Sequence, residues 1–226
     1  MKKLLFWMVL IVGIVALIGS CAKKDEETAA TAAADNTTST DNTTSTTSYI
    51  STTTTASGSI TMGDDTLSGV YASECLTSAS TIAFFKATGF WASEVNAYGQ
   101  VFVVTGSDNI SIELYAFTDT SCSNLSQCQK TVSDNVTFGS ASGSNYPVTY
   151  NNQTQALTVH TTAAETALET LYSNALDFIV GTPIELPVSG SGLKYGLWTL
   201  SGTTWYEASS SSATPTSAGT VPHVKQ

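Results

Sequence analysis

The sequence predicts a mainly β domain, an antiparallel β-barrel or sandwich carrying one amphipathic helix near 162–175. Three observations lead there. Over 109–117, Ile110, Ile112, Leu114 and Ala116 share one face while Ser111, Glu113, Tyr115 and Phe117 share the other, the period of a half-buried strand. Further short segments follow, joined by links rich in Gly, Ser and Asn, the pattern of all-β folds. Against these, "TAAETALETLYSNA" (162–175) places Ala164, Ala167, Leu168, Leu171, Tyr172 and Ala175 at helical spacing.

Taken in order, "GDDTLSG" (63–69) reads as a turn before the first strand, because its oxygens lack the spacing of a Ca²⁺ loop. The stretch 78–96 fits neither period, and Gly89 permits a break within it. "YGQVFVVTG" (98–106) pairs with 109–117 through "GSDN" as a hairpin. "DNVTFGS" (134–140), "NYPVTYNN" (145–152) and "QALTVHT" (155–161) continue as strands. Thr162 stands three residues before Glu165, a capping box for the helix. "GLKYGLWTL" and "TTWYEAS" flank Ser201–Gly202 as a last tight hairpin. The domain is therefore expected over 60–207, a length sufficient for one sizeable core, with 208–226 as a low-complexity tail.

Ahead of the domain, Lys2 and Lys3 precede 15 apolar residues, Leu4 to Ile18. That is short of the roughly 20 a spanning helix needs and has the form of a secretory signal at 1–20. It ends in Ile18, Gly19, Ser20 and Cys21. These residues resemble the lipobox of bacterial lipoproteins, in the looser form seen in spirochaetes. The resemblance implies lipid on Cys21, and several acyl chains hold a protein stably where one does not. Ala22, in place of the Asp that retains many such proteins at the inner membrane, points to the outer membrane, on its periplasmic or its surface face. Residues 21–59 are then the lipidated Cys21 and a disordered Ser/Thr-rich tether, with "DNTTST" at 35–40 repeated at 41–46. Such a composition cannot offset its ordering entropy.

Charge narrows the function. All eight basic residues are Lys, and from residue 60 onward Lys86, Lys130, Lys194 and Lys225 face 13 acidic residues. Nucleic-acid binding, which needs a basic face, is excluded. No catalytic residue is assigned: His223 lies in the expected tail, His160 ends a strand, and no G-x-S-x-G occurs. "SGSG" (189–192) lacks the strand-loop-helix setting of a phosphate loop. No cofactor and no metal site is expected, since the cysteines lack zinc spacing.

Apart from Cys21, the cysteines are Cys75, Cys122 and Cys128. Export makes a disulfide plausible and leaves three pairings open, among them a local Cys122–Cys128 clip. "LSGVYASEC" (67–75), "IELYAFTDTSC" (112–122) and the final hairpin followed by "ATPTSAG" resemble small lipocalin-like lipoproteins of bacteria, over about two thirds of the domain. The resemblance implies that 67–75 is the first strand and that Cys75 pairs with Cys122. It also implies a barrel that holds a small apolar ligand, with Tyr71, Phe102, Tyr195 and Trp198 as candidate wall residues. The same aromatics could instead fill the core. A non-enzymatic, lipid-anchored binding barrel is therefore the first expectation. A surface adhesin that binds extracellular or host proteins is the alternative, and a hydrolase the second alternative.

Overall fold

The structure is a computed structural model that describes residues 49–188 and 192–226. The expected signal peptide, Cys21, the expected tether as far as residue 48, and most of the Gly-Ser run at 189–192 lie outside the described residues.

The strands are β1 (Ile60–Met62), β2 (Asp65–Leu67), β3 (Val70–Ala72), β4 (Ala97–Val104), β5 (Ile110–Phe117), β6 (Leu125–Phe138), β7 (Asn145–Val159), β8 (Pro183–Leu186), β9 (Leu193–Ser201), β10 (Thr204–Ser210) and β11 (His223–Lys225). Among the described residues two helices, α1 (Ala79–Ala87) and α2 (Thr162–Leu171), interrupt them. Eight strands close an antiparallel up-and-down barrel in the order β3-β4-β5-β6-β7-β9-β10-β11, with β11 returning to β3. Closure removes the open sheet edges that a sandwich would leave. β8 takes the stretch of β7 edge that β9 does not reach: Gln155–Thr158 pairs with β8, and Asn145–Asn151 with β9.

Several expectations shift. The ambiguous 78–96 stretch contains α1, ended by Thr88 and by Gly89 at φ +77°. The segments at 145–152 and 155–161 are one strand, β7, and 134–140 is the end of the 14-residue β6. The last hairpin turns at Gly202–Thr203, because Ser201 pairs with Thr204. Thr161, not Thr162, caps α2: its side chain accepts from the Ala164 amide at 3.2 Å and donates to Glu94 Oε1 at 2.5 Å. α2 also stops at Leu171, and Ala175 lies exposed beyond it.

Both domain boundaries move outward. The expected tail supplies the end of β10 and all of β11, which completes the ring beside β3. The expected tether packs on the barrel from Tyr49 onward. Ile50 is buried, its amide donating to Ser73 O at 3.2 Å, and the Ser57 amide donates to Val104 O at 2.9 Å. This strap covers the outer faces of β4 and β5, where Ala97, Val101, Val103 and Phe117 form an apolar layer with Ile50. It also covers Glu113, which is 2% exposed and accepts from Thr52, Thr54, Ser111 and Tyr115. Lys130 Nζ lies 4.0 Å from the same carboxylate and donates to Thr54.

Inside, the two ends of the barrel are packed separately. At one end the β1–β2 hairpin inserts Ile60, Met62 and Leu67 among Tyr71, Phe102, Trp198 and Trp205. At the other, α1, α2 and the loop after each bring Phe85, Trp91, Leu168 and Phe178 onto Tyr98, Ala116, Leu157 and Val159. Cys75 and Cys122 form a disulfide with a Cα–Cα distance of 5.7 Å, and Cys128 is the free thiol.

Candidate functional site

The register of the ring decides which side chains point inward. Tyr98, Phe102 and Val104 belong to the interior clusters, so Gln100 between them faces inward as well. Carried around by pairing, the inward set is Ile112 and Leu114 on β5, then Gln127, Gln129, Thr131 and Ser133 on β6. β7 adds Tyr150 and Gln155, β9 adds Lys194, Gly196 and Trp198, and β10 adds Trp205, Glu207 and Ser209. His223 enters from β11, opposite Trp205.

Between the two packed ends this inner face is polar. Gln100, Ile112, Leu114, Gln129, Gln155, Lys194, Glu207 and Ser209 are only partly buried, although they line the inside of a closed ring. Ile112 is the margin of one apolar cluster and Leu114 the margin of the other. These inward residues keep accessible surface between the two packed ends, and the space they face is called the central chamber; its wall is mostly polar, with an apolar layer at each end.

Electrostatics in the chamber follow from enclosure. Burial pushes the Glu207 carboxyl up to about 7, against the hydrogen bond from Ser209. Burial, with the nearby Glu207 charge, raises the Tyr150 phenol. Burial also lowers the Lys194 ammonium. His223 is held down to about 4 by burial, against the Trp205 carbonyl. Its Nδ1 lies 3.3 Å from that carbonyl, to which it donates, and its Nε2 lies 3.2 Å from the Gln100 side-chain amide. Among the described residues, Trp198 Nε1, Trp205 Nε1 and Gln127 Oε1 are buried without a partner. Buried polar atoms are rarely left so, and all three belong to inward-facing residues.

The expected wall residues divide. Tyr71, Phe102 and Trp198 are inward, at most 1% exposed, and packed against the β1–β2 hairpin. They are floor rather than open wall. The Tyr71–Trp205 and Phe102–Trp205 ring centroids are 5.4 and 4.6 Å apart. Tyr195 pairs with Thr149 and Ser210 on the outer face and lines nothing inside. Sequence reasoning missed Glu207, Ser209, Lys194 and the β6 glutamines. Their signal is a polar residue at every second position of a strand, which becomes an inward face only once the register is known.

His223 does not lie in a tail but is 1% exposed within the barrel. His160 is exposed just beyond β7, its amide donating to Ser126 O at 2.7 Å. Among the described residues, neither imidazole is hydrogen-bonded to a hydroxyl or a thiol. No group of three or more His, Cys, Asp or Glu side chains placed to hold a metal ion occurs among them. The chain matches no protein-family model, and no curated protein matches it.

Proposed function

We propose that the protein is a lipid-anchored binding protein of the bacterial envelope, exported and tethered through Cys21, whose barrel holds a small ligand in its central chamber. The observation that carries this reading is the partly accessible polar belt between two packed apolar layers. A barrel whose interior served only stability would be filled by interlocking apolar side chains. Because the aromatic end is already occupied by Ile60, Met62 and Leu67, a ligand with polar groups suits the chamber better than a wholly apolar one. Binding is preferred to catalysis because, among the described residues, neither imidazole is set against a nucleophile.

Native mass spectrometry of the full chain extracted from its own cells tests the reading. A co-purifying small-molecule mass, lost on denaturation, is the expected result. A bare protein mass that no small molecule shifts would overturn it. Metabolic labelling with a fatty acid tests the anchor: label should disappear in Cys21→Ala, and retained label would place the lipid elsewhere.

A second reading, a surface protein that meets extracellular proteins, rests on Ile179 and Val180. Both stand exposed, at 55% and 45%, in the loop between α2 and β8. Proteolysis of intact cells separates a surface domain from a sheltered periplasmic one.

A further inference from the structure

A carboxyl and an ammonium face the same chamber without meeting. Glu207 lies on β10 opposite Trp198, and Lys194 stands four residues before Trp198 on β9. At about 3.3 Å per residue, the two anchor points are separated by roughly 13 Å along the wall. Glu207 takes a hydrogen bond from Ser209 and, among the described residues, no ion pair. Lys194, half-buried opposite Tyr150, forms no salt bridge: among the described residues the one ion pair is Lys130–Glu113. Removing a charge from water without a partner is costly, and two such charges facing one space would ordinarily pair with each other. Their anchor points keep them apart.

Around them the wall offers both hydrogen-bonding polarities. Gln100, Gln129, Thr131 and Gln155 are neutral and can donate or accept. The Trp198 indole N–H has no acceptor, and it lies 3.0 Å from where a β-carbon on Gly196 would stand. Val148 Cγ1 lies 2.6 Å from the same point, so Val148 and the indole pack directly on the β9 backbone there, next to Glu207 in register. Tyr150 and Trp198, whose ring centroids are 5.8 Å apart, are buried beneath this part of the wall.

We propose that the chamber ligand is a small zwitterion, its cationic group held by Glu207 and its anionic group by Lys194. This inference rests on the binding reading above and names the ligand class of the same site. Such a ligand supplies each enclosed group with the opposite charge it lacks. A purely cationic or purely anionic ligand would leave one of them unpaired.

Calorimetric titration of the full chain in detergent tests it, with ω-amino acids of increasing length from 4-aminobutyrate to 8-aminooctanoate as probes. Hexylamine and hexanoate serve as single-charge controls, and dodecanol as an uncharged one. One or more of the ω-amino acids should bind at least about tenfold more tightly than either single-charge control, since an enclosed charge pair is worth that much or more. Glu207→Gln and Lys194→Met should each remove the preference, and because Lys194 is only half-buried its variant keeps the test valid if Glu207→Gln fails to fold. Zwitterions that bind no better than both controls, or an affinity that neither variant changes, would overturn the proposal. If dodecanol or a single-charge control binds while the zwitterions do not, the zwitterion fails and the binding barrel stands. If no probe binds and no mass co-purifies from cells, both fail.

Discussion

Ile50 lies so tightly on Gly99 that a β-carbon added to the glycine would collide with Cγ1 and Cδ1 of the isoleucine. Gly99 is on β4 and faces outward, so this contact seats the strap rather than filling the barrel. Its φ is not in the left-handed region, so Gly99→Ala should act through the collision alone. We expect it to cost about 1–3 kcal/mol, the usual cost of overpacking. Ile50→Ala should relieve that collision, so the double variant should cost less than the sum of the single ones. Urea unfolding of all three measures this, and strict additivity would show that the strap does not depend on the contact.

The Glu113 carboxylate holds the next turn of the same strap. Glu113→Ala leaves Thr52, Thr54 and Tyr115 without their acceptor and Lys130 without its counter-charge. Stranding buried donors in this way should cost about 2–4 kcal/mol. The Ile50 and Ser57 amides, which bond to Ser73 and Val104, should then exchange with solvent faster than those of β4. A loss within about 0.5 kcal/mol, typical of exposed positions, would mean that the strap is held by its apolar contacts alone.

How legible these features were depends on what each residue faces. The β4–β5 hairpin was readable because its inner face is apolar and its outer face mixed. The first half of β6 was not: Gln127, Gln129, Thr131 and Ser133 point inward, and polar inward residues erase the alternation that marks a strand. The same substitution of polar for apolar hid the chamber. β11 is three residues long and exists through its pairing with β3 and β10, which no local pattern can show. The strap has the Ser/Thr composition of a tether. It is ordered by one isoleucine fitting a glycine 49 residues on, and by two threonines reaching a carboxylate on another strand. The Cys75–Cys122 pairing was implied by a likeness to lipocalin-like lipoproteins, and nothing in the spacing of three cysteines selected it.

The disulfide joins the segment after β3 to the loop after β5, closing a sequence separation of 47 residues. A loop of that size should contribute about 4 kcal/mol through the unfolded state. Cys75→Ser with Cys122→Ser should lower stability by a few kcal/mol. Cys128→Ser should be nearly neutral, because its thiol has no disulfide partner. Burial and the Glu113 carboxylate push that thiol up to about 12. In the folded protein it should therefore resist alkylation at neutral pH and react only on unfolding. Rapid native labelling of Cys128 would show that the outer face of β6 is open.

Glu207 and His223 give the barrel an unusual dependence on pH. The Glu207 carboxyl rises from 4.5 to about 7 on folding. Its contribution is therefore whole below 4.5 and is lost as pH rises through 7, where the enclosed acid must ionise. His223 falls from 6.5 to about 4, so its contribution is whole above 6.5 and is lost as pH falls through 4. Between 4.5 and 6.5 the two slopes are opposite in sign, each about 1 kcal/mol per pH unit, and these two groups together should leave stability nearly level. Glu207→Gln removes the falling slope, so that variant should gain stability as pH rises across the window. His223→Gln should do the reverse, and the double variant should be level again. Urea unfolding at both ends of the window reads these slopes. Parallel curves for the wild type and both single variants would show that neither group is enclosed as the barrel places it.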